Sequence, residues 1–157
     1  MTDVVKKLLL VCHAPSPNTI ALRDAALSGG QHPLLESTEC KWLPPLQAGV
    51  DDVLDCDAIL LGTTENFGYM SGALKDFFDR IYYPCLERTE AKPFTYYVRA
   101  GSDGTGTCRA VDAITQGLSW RQVLPPLVCK GDYDPRFAER VAELSATLAA
   151  GVEGGLY

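Results

Sequence analysis

The sequence predicts a doubly wound α/β domain, with parallel strands in one sheet and helices on both of its faces. Three observations lead there. Short runs at 8–11 and 58–61 are apolar throughout, as expected of strands covered on both sides. Other stretches space their apolar residues three and four apart: Met70, Leu74, Phe77 and Ile81 in one, Phe137, Val141, Leu144 and Leu148 in another. That is the stripe of an amphipathic helix. The two patterns alternate along the chain, which implies parallel strands joined by right-handed crossovers.

Five strand and helix pairs follow in order. Strand 8–11 leads into a helix over 18–27, opened by Ser16 as cap and Pro17 in the first turn, where no N–H is needed. A weaker strand at 39–43 precedes a short helical turn at 50–54. Strand 58–61 leads to a helix over 69–83, with Lys75, Asp76, Asp79 and Arg80 opposite its apolar stripe. Strand 95–98 is β-branched and aromatic, and a helix over 105–117 turns Ala110, Val111 and Ile114 inward. The last run, 124–129, carries Pro125 and Pro126, so its strand lies at a sheet edge or starts after them. The helix around Phe137 to Leu148 closes the series, and the tail 151–157, GVEGGLY, is expected to be loose. With no repeat or linker, residues 1–157 read as one domain.

Composition narrows the function. A net charge of -6 with no basic stripe argues against a nucleic-acid backbone or an anionic membrane as partner. Cys12, Cys40, Cys56, Cys85, Cys108 and Cys129 are scattered, none in a C-x-x-C pair, and only His13 and His32 could join them as nitrogen ligands. Reduced, buried thiols and no metal site are therefore expected. Residues 1–7 read as polar, and the apolar run 8–12 is too short for a signal sequence or a membrane span, so a cytoplasmic protein is expected.

Ligands of such sheets bind beyond the carboxyl ends of the strands, where strand order reverses. That singles out residues 13–19, 63–69 and 99–106. The first belongs to the stretch VCHAPSPNTIAL, 11–22, which holds hydroxyls, an amide and two prolines but no Lys or Arg. Its Ser-Pro is an ordinary helix start. It also offers free amides and a helix dipole, with Ser16, Asn18 and Thr19 beside them, to a phosphate. Neither G-x-x-x-x-G-K-[ST] nor G-x-G-x-x-G is present, so a nucleoside triphosphate loop and a dinucleotide fingerprint are both excluded. Cys12 would need a cationic partner to be a nucleophile, and Asn18 stands where tyrosine phosphatases of this fold place Arg. Strand three ends in Gly62-Thr63-Thr64, without the Asp of a phospho-acceptor domain.

The segment 62–80, GTTENFGYMSGALKDFFDR, resembles the one after strand three in flavodoxin-like NAD(P)H:quinone oxidoreductases and NADPH-dependent FMN reductases. Gly62, Thr63, Phe67, Gly68, Met70, Ser71, Gly72, Phe77 and Asp79 match that pattern, and Ser16, Asn18 and Thr19 are in register with a flavodoxin phosphate loop. The resemblance implies strand order 2-1-3-4-5 and FMN held without a covalent bond. Ser16, Asn18 and Thr19 would surround its 5′-phosphate. Thr64, Glu65, Asn66, Phe67 and Gly68, with Gly101, Ser102, Asp103, Gly104 and Thr105, would hold the ring. Glycines let backbone approach a flat ring, and main-chain N–H groups can bond its polar edge.

The activity so implied is hydride transfer from NAD(P)H to the flavin and then to a quinone or similar small acceptor. It needs no named acid, base or nucleophile, and it comes with a homodimer or higher assembly. Two other readings stay open, a flavodoxin-type electron carrier and a cofactor-free flavodoxin-like binding module. Carriers surround the ring with dense acidic patches, whereas 14 basic residues accompany 20 acidic ones here, which favours the enzyme. The chain departs from the pattern at Ala14, at Pro17, which has no N–H for a phosphate, and at Glu65-Asn66, where the quinone reductases have Thr-Arg. A Glu beside the flavin disfavours its anionic reduced form. Each segment also has a plain structural account: helix start, amphipathic helix, strand-to-helix turn.

Overall fold

The computed structural model describes residues 4–157, and the first three residues of the polar segment 1–7 lie outside the described residues. The elements run β1 (Lys6–Cys12), α1 (Pro17–Gly30), β2 (Thr38–Leu43), α2 (Val50–Asp55), β3 (Ala58–Thr64), α3 (Gly72–Cys85), β4 (Pro93–Ala100), α4 (Thr105–Gly117), β5 (Arg121–Gln122), β6 (Leu127–Lys130) and α5 (Arg136–Glu153). All pair in parallel, in the order β2-β1-β3-β4, with β5 and β6 both against β4. The expected order 2-1-3-4-5 is therefore observed, with one refinement. The fifth position holds two pieces, β5 beside Pro93 and Phe94 and β6 beside residues 97–100. Pro125 and Pro126 fall in the gap, where they have no N–H for a ladder. Thr95 fills it by donating from Oγ1 to the carbonyl of Leu124 at 3.0 Å.

Burial on both faces follows from the two-residue period of a strand. Leu9, Val11, Ile59, Leu61, Tyr96 and Val98 face Val53, Leu74, Phe77, Ile81 and Val111 of α2, α3 and α4. Leu8, Leu10, Cys12, Leu60 and Tyr97 face Leu22, Ala26, Val141 and Leu148 of α1 and α5. The six thiols are unpaired, and Cys12, Cys56, Cys85 and Cys129 are buried. Among the described residues no helix is long and apolar enough to cross a membrane.

Three boundaries differ from expectation. Helix α3 starts at Gly72, after Ser71, whose side chain accepts the N–H of Leu74, and it continues through Pro84 to Cys85. Met70 is buried just ahead of it. The surplus of aromatics on this helix is smaller than the sequence implied: Tyr82 packs over Gly117, where an added Cβ would lie 2.3 Å from its hydroxyl, and Tyr83 alone is well exposed. The tail is not loose, because α5 continues through residues 151–153. The Tyr157 ring lies on Gly151, where a Cβ would come within 2.2 Å of it. The Glu153 carboxylate accepts from the amides of Glu36 and Ser37 and from Thr38 Oγ1, bonds that hold it below its ordinary range.

Helices α1 and α5 meet almost backbone to backbone. Ser145 Oγ donates to the carbonyl of Ala26 at 2.6 Å, and a Cβ on Gly29 would lie 2.2 Å from the carbonyl oxygen of Ala142. In an open helix Gly→Ala gains about 0.5–1 kcal/mol, whereas overpacking a close contact costs about 1–3 kcal/mol. The obstacle at Gly29 is backbone that cannot swing aside, so the second effect wins. Gly29→Ala is expected to lower stability by about 0.5–2 kcal/mol, the lower and upper ends of those ranges subtracted, read as a lower urea midpoint with unchanged slope.

Candidate functional site

Parallel pairing of β1, β3 and β4 brings the loops that follow them to one edge of the sheet. The first is short. His13 donates its N–H to the carbonyl of Gly62 at 2.9 Å, and its half-buried imidazole is shifted down by desolvation, so it is neutral near pH 7. Ser16 and Thr19 then form a reciprocal cap. The Ser16 N–H donates to Thr19 Oγ1 at 2.9 Å, the Thr19 N–H donates to Ser16 Oγ at 3.3 Å, and the two hydroxyls lie 2.8 Å apart. Thr19 is buried, Ser16 is half-buried, and Asn18 is exposed beside them.

The loop after β3 makes a tight reversal. Asn66 and Tyr69 exchange both backbone bonds, at 2.8 and 2.9 Å, around Phe67 and Gly68, whose φ values are 53° and 72°. Two positive φ values make this a primed turn, natural for Gly but costing a side chain such as Phe about 1–2 kcal/mol. The turn leaves the Phe67 ring fully exposed. Thr64 Oγ1 donates to Asn66 Oδ1 at 2.9 Å, and Thr63 Oγ1 accepts the N–H of Ser71, which fixes the entry to α3.

The loop after β4 is bound to this reversal. Glu65 accepts from the Ser102 amide through one carboxylate oxygen and from the Gly104 amide through the other, both at 2.8 Å. Thr107 Oγ1 donates to the carbonyl of Tyr69 at 2.9 Å. A Cβ on Gly106 would lie 2.0 Å from the carbonyl oxygen of Gly68, so glycine is required there. Gly104 takes the left-handed conformation at φ 72°, and Asp103 accepts the Thr105 N–H at 3.0 Å, which holds its carboxyl below the usual range. By contrast, a Cβ on Gly68 or Gly101 meets nothing within 4 Å, so both loops present open backbone.

All thirteen residues singled out from the sequence thus lie at this edge. Ser16, Asn18 and Thr19 form one cluster; Thr64, Glu65, Asn66, Phe67 and Gly68 form a second, joined by Glu65 to Gly101, Ser102, Asp103, Gly104 and Thr105. Beneath them, Tyr97 crosses over Gly62, where a Cβ would sit 2.4 Å from its ring, and reaches towards Cys12. Burial pushes the Cys12 thiol up to about 12, so it is protonated core and no nucleophile.

Sequence reasoning missed Arg99, at the end of β4. Its Nη1 donates to the carbonyls of Ala100 and Cys129 at 2.9 and 3.0 Å, and the guanidinium lies 5.7 and 5.4 Å from the ring centres of Tyr133 and Phe137. A cation directly preceding the glycine-rich turn was the available signal.

Solved structures similar to this chain share its fold. Flavodoxin 1 from Bacillus cereus superposes with a TM-score of 0.76 at 17% identity, covering 92% of this chain and 98% of its own. A flavodoxin, WrbA-like protein from Agrobacterium tumefaciens gives 0.76 at 16%, covering 95% and 98%. The flavodiiron protein from Giardia intestinalis gives 0.78 at 14%, covering 97% of this chain but 37% of its own. No curated protein matches the sequence. The family described as NADPH-dependent FMN reductase matches residues 17–131, well over half of the length, so the chain belongs to the NADPH-dependent FMN reductase family and FMN is its cofactor.

Proposed function

We propose that this FMN-dependent oxidoreductase takes hydride from a reduced nicotinamide nucleotide and passes the electrons to a quinone or similar small acceptor. The observation that carries the reading is the pair of loops after β3 and β4. They are fastened to each other by Glu65, open at Gly68 and Gly101, and display Phe67 at a conformational cost with no compensating burial. Strain of that kind, retained at a ligand-binding edge, supports a role in binding.

The donor set fits FMN. Thr19 Oγ1 can give its proton to the carbonyl of Ser16 at 3.0 Å, which leaves the Ser16 hydroxyl proton free to turn towards a phosphate oxygen. Thr19 then serves by fixing Ser16, and Asn18 adds an exposed amide at the positive end of α1. FMN, when bound, supplies the two-electron chemistry. The protein contributes position: Gly68 and Gly101 allow backbone to approach the ring, Phe67 adds an aromatic face, and Glu65 keeps both loops in register. Because Glu65 already engages the Ser102 and Gly104 amides, those two donors would be open to a flavin only if it displaced the carboxylate.

Anaerobic mixing with NADPH tests the reading. The flavin absorbance should bleach in the absence of acceptor and return when a quinone is added, with parallel double-reciprocal lines in steady state. An abundant neutral semiquinone with negligible NADPH oxidation would instead describe an electron carrier and overturn the proposal.

The phosphate turn has its own test. FMN at a hundredfold excess over its Kd should add about 2.7 kcal/mol, or about 5–11 °C in Tm, and riboflavin should add less. Ser16→Ala with Thr19→Val should remove most of FMN's advantage over riboflavin and cost the apo fold about 0.5–2 kcal/mol through the lost cap. Equal shifts from both ligands in the unmutated protein would reduce the turn to a helix start.

Phe67 separates stability from binding. Phe67→Gly should leave Tm equal or raised, because glycine adopts the turn without cost, while FMN affinity falls by about twofold to tenfold, the worth of one aromatic contact. A drop in Tm with unchanged affinity would assign Phe67 to folding instead.

A further inference from the structure

The carboxylate of Glu65 reaches from the loop after β3 into the loop after β4. One oxygen accepts the N–H of Ser102 and the other that of Gly104, both at 2.8 Å, from residues 37 and 39 positions further along the chain. Asp103, by comparison, accepts the N–H of Thr105 two positions away, an ordinary local turn. Gly104 is left-handed at φ 72°, and the two amides of this turn converge on one acceptor group, as in a backbone nest that binds anions. The occupant of that nest is a side chain of the protein itself.

Little else keeps the carboxylate there. Among the described residues Glu65 makes no ion pair, and it is half-buried beside exposed Gly101 and Ser102, so a released carboxylate reaches water without crossing the core. The two loops also have other ties, the bond from Thr107 Oγ1 to the Tyr69 carbonyl and the backbone contact of Gly106 with Gly68. Glu153 makes a similar bridge at the opposite edge of the sheet, to the amides of Glu36 and Ser37, where a third bond from Thr38 Oγ1 strengthens it.

We propose that Glu65 is an internal competitor for FMN. In the empty protein it holds the Ser102 and Gly104 donors convergent, and it gives them up when the flavin ring binds, so it is the residue that sets how tightly the ring is held. This rests on the function proposed above, in which the loop after β4 seats the ring. Bonds from these amides to a carboxylate are charge-assisted, whereas the acceptors of an oxidised flavin are neutral and gain less from the same donors. The exchange therefore costs affinity, and removing the carboxylate should return it.

The test titrates the full chain, stripped of flavin, with lumiflavin, which is the ring without ribityl chain or phosphate, and with FMN. Binding is read from quenching of flavin fluorescence. Glu65→Ala should bind lumiflavin about tenfold more tightly than the unmutated chain, the worth of trading one charge-assisted bond for a neutral one. Glu65→Gln, which keeps a neutral acceptor, should fall between the two, and FMN should gain by the same factor as lumiflavin because its phosphate end is untouched. Glu153→Gln should lower Tm and leave lumiflavin affinity unchanged. By amide hydrogen exchange, Ser102 and Gly104 should be protected in the empty unmutated chain, unprotected in empty Glu65→Ala, and protected again in that variant with lumiflavin bound. Unchanged or weaker lumiflavin binding in Glu65→Ala would make Glu65 a brace and overturn the proposal. Fast exchange at both amides in lumiflavin-bound Glu65→Ala would overturn it too, since the ring would then not use them. Should Glu65→Ala fail to fold, the Glu65→Gln comparison decides by the same criteria. Neither nicotinamide nor electron acceptor enters the titration, so a failure of the proposed activity leaves its result standing.

Discussion

Burial of β1, β3 and β4 on both faces is the constraint on which the rest depends. Strands such as Leu8 to Val11 and Ala58 to Leu61 have no polar face to offer water, so helices must cover both sides of the sheet. Covering both sides with parallel strands requires crossovers of one hand, and these deliver every strand-to-helix loop to the same edge. The site is a consequence of that geometry. Nothing in the loops themselves would bring Ser16, Phe67 and Gly101 together.

The loops then settle against one another through short-range contacts. Glu65 is central because one carboxylate satisfies two amides of a neighbouring loop, one on each oxygen, through charge-assisted bonds stronger than a neutral side chain would make. The backbone contact between Gly68 and Gly106 and the bond from Thr107 to Tyr69 complete the union. The result is a rigid rim with two open glycines and one exposed ring, built before any ligand arrives. Preorganisation of this kind removes ordering costs from binding.

Charge is distributed sparingly over this rim. The imidazole of His13 is neutral, the first loop has no Lys or Arg, and Glu65 and Asp103 are engaged with backbone amides. The start of α1 therefore carries a helix dipole and hydroxyls in place of a full charge, and the one Lys or Arg of the three loops is Arg99.

Periodicity in the sequence was enough to determine the alternation of strands and helices, because apolar spacing reports directly on which faces must leave water. Helix α4 shows this, its bounds at Thr105 and Gly117 legible from its apolar stripe. The candidate loops were legible for the same reason, since each follows an apolar run. What depended on distant partners was not. The split of the last strand rests on β4 and the Thr95 bridge, the order of the tail on Glu36, Ser37 and Thr38, and the closeness of α1 to α5 on Gly29 against Ala142. The roles of Glu65 and Arg99 were equally hidden: a charge in a loop has no period, and what it does is decided by which amides, carbonyls and rings the folded chain brings within hydrogen-bonding or stacking distance of it.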